Sequence, residues 1–180
     1  MMDARGLRGK PKNPKSCHER ALGLLAVRAR SRRELERRLL QAGFEAAEVT
    51  DVLERLERVG LVDDEAFARQ VAEHAFGVKR SGRRAVVGRL MAAGIAQDVI
   101  EATLRDAGDE VERADALARS RVSRLGSIDT GKAFSRLTSL LVRRGYGPEV
   151  AREAARRALA LEADGVTEDD VNLASGFTRP

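Results

Sequence analysis

Apolar residues in this chain recur three and four positions apart, in short groups divided by glycine, serine or aspartate, and this predicts helices from about residue 16 to residue 163. Three windows share one pattern: Glu34–Phe44 (ELERRLLQAGF), Ala85–Ile95 (AVVGRLMAAGI) and Arg136–Tyr146 (RLTSLLVRRGY). Without gaps, Leu35, Val86 and Leu137 align, then Leu39, Leu90 and Leu141, then Leu40, Met91 and Val142. The glycines that close the windows, Gly43, Gly94 and Gly145, lie 51 residues apart. A fixed period of this size implies one structural unit used three times. The pattern puts Leu35, Leu39 and Leu40 on one side of a helix that ends at Gly43. A glycine there permits a left-handed cap, and the apolar residue after it (Phe44, Ile95 or Tyr146) folds back onto the helix.

The neighbouring segments complete a three-helix unit. Ser16 caps a first helix carrying Ala21, Leu22, Leu24, Leu25 and Val27. Ser31, with Glu34 three residues on, forms a capping-box pattern at the second. Val49, Val52, Leu53 and Leu56 mark a third helix, with Ile100, Thr103, Leu104 and Ala107 in the corresponding places of the next unit. In the last unit these become Ala151, Ala154, Ala155 and Ala158, which predicts closer or weaker packing. Asp63 or Asp64 caps a helix to about Val78 with Phe67, Val71 and Phe76 inward. Asp109 starts another, to about Arg124, carrying Val111, Leu117 and Val122.

The expected fold is therefore all-α: tandem three-helix repeats, three copies, forming an elongated, curved helical solenoid. The boundaries are a disordered basic arm at 1–15, repeats at 16–62, 63–108 and 109–163, and an acidic, disordered tail at 164–180. Repeats of this kind bury their cores against neighbours and expose a long surface, which suits binding.

Composition fits this. Apolar residues make up 43% of the chain but aromatics only 3%, so the cores must be aliphatic. Cys17 is the only cysteine, which excludes an intrachain disulfide. No apolar run approaches the roughly 20 residues that a membrane span needs. The charged N-terminus, with no apolar run after it, does not read as a secretory signal, so the expected location is the cytoplasm.

The net charge is +5, but residues 160–180 carry −4 and the remainder +9. The second helices are basic: +2 over 31–42, +4 over 80–93 and +4 over 130–144. With the leucines inward, a helical wheel turns Arg37, Lys132 and Arg143 outward. Arg33, Arg38, Arg84, Arg89 and Arg136 flank that face. Together with Lys79, Arg80, Arg83 and Arg144 they form a candidate basic track for an acidic protein or for DNA. The third helices are acidic, −3 over 45–58 and −2 over 96–107. A helix-turn-helix reader would put that acidic helix against phosphates, which disfavours sequence-specific DNA recognition.

The chain contains neither the GxxxxGK[ST] phosphate loop nor the GxSxG elbow. His18 and His74 are the only histidines, and His18 adjoins Cys17, so no metal or catalytic site is expected.

Residues 60–95 (GLVDDEAFARQVAEHAFGVKRSGRRAVVGRLMAAGI) resemble the signature of the RecX regulatory family. The matching positions are Gly60, Leu61, Val62, Asp63, Asp64, Phe67, Ala68, Gly82, Leu90, Gly94 and Ile95. The flanks agree, with Ser31–Leu35, Leu39 and Gly43–Phe44 on one side and Arg144–Tyr146 on the other; the resemblance spans about residues 16–160. It implies a non-enzymatic modulator without cofactor, monomeric, built of three-helix repeats. Such proteins bind the RecA filament on single-stranded DNA, lie in its groove, and inhibit its ATPase, strand-exchange and coprotease activities. The chain departs from the pattern at Gly88, mid-helix where the family often has an acid, and in the alanine-rich last repeat. The family pattern marks no catalytic residue. Two other readings stand beside it: a nonspecific basic DNA-binding protein that competes for DNA, and an adaptor for another acidic protein.

Overall fold

The computed structural model describes residues 15–165, apart from 106 and 127 and the side chains of 161–165. The predicted arm at 1–15 lies almost wholly outside the described residues, as does most of the predicted tail at 164–180. The described residues are all-helical: α1 (Cys17–Val27), α2 (Arg32–Gln41), α3 (Ala46–Arg58), α4 (Asp64–Glu73), α5 (Arg83–Ala92), α6 (Gln97–Arg105), α7 (Glu110–Val122), α8 (Thr130–Arg143) and α9 (Pro148–Gly165). A π-helical turn, His74–Val78, extends α4. The chain divides into two compact units, with the division after Phe67.

In the first unit, α1, α2 and α3 close around Leu35, Leu39, Val49, Val52, Leu53 and Leu56, each no more than 6% exposed. Cys17 belongs to this core. Burial raises its thiol pKa, and Glu48 adds to the effect, so the thiol stays protonated. Ser16 and Glu19 form a complete capping box at α1. At α2, Ser31 Oγ accepts the Glu34 N–H at 3.1 Å, and the Glu34 carboxylate meets Arg28 at 2.9 Å. The backbone N–H of Arg32, the first residue of α2, donates to Asp64 Oδ1 at 2.8 Å. Asp63 caps α4 by accepting the Ala66 N–H at 2.9 Å. The two adjacent aspartates thus cap two different helices.

In the second unit, α7, α8 and α9 pack together around Ala114, Leu117, Ala118, Leu141, Tyr146, Ala151, Ala154 and Ala158. The alanines let the backbone of α9 come close to both partners, so this helix packs closely through its alanine face. Val111, expected inward, is 39% exposed; α7 presents Ala114, Leu117 and Ala118 to the core instead. Asp109 caps α7, and Glu110 accepts the Arg83 N–H at 2.8 Å, as Asp64 does for Arg32.

Three turns share one geometry. Gly43, Gly94 and Gly145 have φ of 91°, 78° and 88°. In each, the glycine N–H and the next N–H bond back to the last turn of the helix: Gly43 to Leu40 and Phe44 to Leu39, Gly94 to Met91 and Ile95 to Leu90, Gly145 to Val142 and Tyr146 to Leu141. This is the Schellman cap. Leu40, expected inward with Leu39, is 44% exposed, and Met91 and Val142 are 58% and 42% exposed. A helix turns 100° per residue, so the position after the core leucine swings out of the interface.

Candidate basic binding surface

The segment after the π-turn is bonded to the α8–α9 turn. Ser81 N–H reaches back to Ala75 C=O at 2.9 Å, and Arg80 takes φ of 48°. Gly82 N–H then donates to Arg144 C=O at 2.8 Å, and Arg84 N–H to Gly145 C=O at 3.1 Å. The Arg144 guanidinium donates to Lys79 C=O at 2.6 Å, and Tyr146 OH to Arg80 C=O at 3.0 Å. Tyr146 is fully buried, and desolvation raises its phenol pKa. Neither Gly82 nor Gly145 has room for a Cβ: the first would overlap the Gly145 carbonyl and the Tyr146 nitrogen, the second Ala85. This seam brings Lys79, Arg80 and Arg84 beside Arg143 and Arg144.

Sequence-selected basic residues divide into two groups. In the second unit, Lys79, Arg80, Arg84, Arg89, Lys132, Arg136 and Arg143 are exposed. In the first, Arg33, Arg37 and Arg38 are exposed on α2. Arg83 and Arg144 are half-buried, and their guanidinium groups are bound to the carbonyls of Leu104 and Lys79, so both hold the fold together.

The structure adds residues that the windows did not select. A cavity of about 440 Å³ between α7 and α8 is lined by Arg121 and Arg124 together with Arg136 and Arg143. Arg121, in the last turn of α7, and Arg124, in the turn after it, lie where no repeat window reaches; the run RSRVSR at 119–124 is their sequence signal. Arg113 stacks its guanidinium over Phe76, 4.4 Å from the ring centroid. In the first unit Arg30, 8% exposed, donates to Leu24 C=O at 3.2 Å at the end of α1. Burial lowers its pKa. Among the described residues no group of three or more His, Cys, Asp or Glu is placed to hold a metal ion, and no helix is long and apolar enough to cross a membrane.

The surface is therefore a set of exposed guanidinium groups on helices whose glycine caps and acidic N-terminal partners fix their ends. Residues 17–56 match the RecX first three-helix domain and residues 63–104 the RecX second three-helix domain. A regulatory protein RecX from Mycobacterium sp. (strain JLS) is 37% identical over 160 residues, 86% of this chain and 87% of that one. The chain belongs to the RecX family. A RecX from Mycobacterium avium (strain 104) is 36% identical over 157 residues, covering 86% of this chain and 91% of that protein. The crystal structure of RecX from Lactobacillus salivarius shares the fold, with a TM-score of 0.69 at 18% identity over 79% of this chain and 94% of that one. A second RecX crystal structure gives 0.68 at 19% identity, over 77% and 70%. Asp63 is the first residue of the second match, and Asp64 accepts the N–H of Arg32, within the first.

Proposed function

We propose that this chain is a non-enzymatic regulator that binds the RecA recombinase filament on single-stranded DNA and inhibits its ATPase, strand-exchange and coprotease activities. Membership of the RecX family carries the reading. Its physical support is the exposed positions of the second helices. Leu40, Met91 and Val142 stand at corresponding places, each at least 42% exposed, and each has arginine within two residues. An apolar anchor among guanidinium groups suits an acidic protein surface.

In this reading the chain is a monomer of three copies of one three-helix unit with a 51-residue period, at 16–62, 63–108 and 109–163, forming a curved solenoid in the cytoplasm. A filament repeats its protomers along a helix, so successive units of the chain engage successive protomers. Once one unit is bound, the next binds at high effective concentration, and weak contacts sum to a firm grip. Inhibition follows if the grip is tighter on an inactive spacing of protomers than on an active one. No step requires a catalytic group or cofactor.

The test is the single-stranded-DNA-dependent ATPase of RecA, titrated with this chain at saturating DNA and again at large excess. Inhibition at substoichiometric protein that persists with excess DNA is expected. Inhibition abolished by added DNA would instead mean a nonspecific DNA-binding protein that competes for the strand. Reversing charge at Arg84 and Arg89 is expected to weaken filament binding at least tenfold; unchanged binding would remove these residues from the interface.

A further inference from the structure

We infer that the groove between α7 and α8 is a binding site for the sugar-phosphate backbone of a single nucleic-acid strand. The inference rests on the reading above and deepens it, by assigning where the chain touches the nucleic acid of a nucleoprotein filament.

Four guanidinium groups, of Arg121, Arg124, Arg136 and Arg143, line one cavity of about 440 Å³, and no carboxylate lines it with them. The nearest acids on these helices are engaged elsewhere. Asp115 holds Arg157 through both its oxygens, and Asp129 caps α8. The Nε of Arg121 is buried without a hydrogen-bond partner among the described residues. A buried, unpaired guanidinium nitrogen is costly, and four like charges around one groove repel one another. An anion in the groove relieves the repulsion.

The chemistry favours phosphates over a single carboxylate. A nucleic-acid strand offers one charge per nucleotide whatever its sequence, and the planar guanidinium fork matches phosphate oxygens. The hydroxyls of Ser135 and Ser139 on the same wall are further donors. The floor is Leu125, Leu137 and Leu140, with no aromatic residue. Such a floor takes a sugar or the face of an unstacked base without selecting among bases. A duplex keeps its base faces stacked inside and would leave the leucines uncovered. Backbone contacts over an aliphatic floor therefore predict single-strand preference and indifference to sequence.

The test is fluorescence anisotropy of a labelled oligo-dT with the full chain across a salt series. Arg121→Gln/Arg124→Gln is compared with wild type and with Arg20→Gln/Arg58→Gln, two exposed first-unit arginines outside the basic track, each checked by circular dichroism. The groove variant should bind at least tenfold more weakly, and the slope of log affinity against log salt should fall by about 1.4, or about 0.7 per phosphate contact removed. The first-unit variant should keep wild-type affinity. Should the groove variant fold poorly, Arg124→Glu/Arg136→Glu alters two exposed side chains and should show the same loss. Wild-type affinity and slope in the folded groove variants would overturn the inference. So would an equal loss from the first-unit variant, tighter binding of duplex, or displacement of the oligonucleotide by polyglutamate at lower concentrations than by unlabelled oligo-dT. The two readings separate cleanly. Loss of strand binding with wild-type inhibition of RecA sustains the groove and confines regulation to protein contacts. Oligonucleotide loss in a chain that never inhibits RecA sustains the groove and removes the regulatory reading.

Discussion

Gly43 and Gly145 occupy the same place in two turns, with φ of 91° and 88° and the same pair of cap hydrogen bonds, yet their surroundings differ. Space around Gly43 is open: an added Cβ would meet nothing within 4 Å. At Gly145 the backbone of Ala85 lies against the same face. The first glycine answers a demand of local conformation alone. The second answers that demand and also a close approach between distant segments. Cores differ in a parallel way. The first unit is filled by leucine and valine, which set helices apart, whereas the last helix is lined by alanines that let backbones meet.

The sharpest way to break this comparison is substitution at the two glycines. Gly43→Ala should lose about 1–2 kcal/mol, the cost of a Cβ in the left-handed region. Gly145→Ala adds overlap with Ala85 and should exceed about 4 kcal/mol, the range reserved for severe disruption. Gly82→Ala isolates the second cause, because its φ of −80° carries no strain and only the clash with the Gly145 carbonyl remains. Urea denaturation followed by circular dichroism measures all three; equal midpoint shifts at Gly43 and Gly145 would remove the close approach as a cause.

A smaller effect sharpens the contrast of cores. Leu53→Ala, in the first unit, should cost about 2–5 kcal/mol through the cavity it leaves. The opposite change, Ala154→Leu, should cost about 1–3 kcal/mol by overpacking α9 against its neighbours. If Ala154→Leu is neutral or stabilising in the same denaturation experiment, α9 has slack that the buried alanines do not suggest.

The smallest effect concerns Tyr146, the only tyrosine in the chain. Its pKa is raised by burial, so the folded state holds the phenol proton more tightly than the unfolded state does. That contribution to stability is complete below the ordinary tyrosine value of about 10 and is lost as pH rises through the higher folded value. Absorbance titration of the phenolate should give a midpoint above that of a free tyrosine. An ordinary midpoint in protein that is still folded would mean that the ring is solvated.

Helices and their caps are legible in the sequence because they depend on residues close together. The 3.6-residue spacing of Leu35, Leu39, Val49, Leu53 and Leu56 sets the buried faces, and only glycine readily takes the φ that the caps require. The basic character of α2, α5 and α8 is legible too. What is not legible depends on pairs far apart. Nothing near Arg83 or Arg144 says that their guanidinium groups will be bound to carbonyls 21 and 65 residues away. The bond of Asp64 to the start of α2 crosses 32 residues and has no local signal. The grouping of Arg121 and Arg124 with Arg136 and Arg143 is hidden for the same reason: the groove they line exists only once α7 lies against α8.

The seam between residues 79–84 and 144–146 also bears on how the chain reaches its folded state. Both sides of the α8–α9 turn come from neighbouring stretches, so that turn can form early. The bonds from Gly82 and Arg84 to that turn cannot form until it exists, and joining them closes a loop of about sixty residues, an entropic cost paid before those contacts reward it. On a ribosome adding 5–20 residues per second, the start of α5 waits roughly 3–13 s for residues 144–146 to be made. The glycines of the seam therefore mark a late step in folding, and variants at Gly82 or Gly145 should refold slowly as well as lose stability.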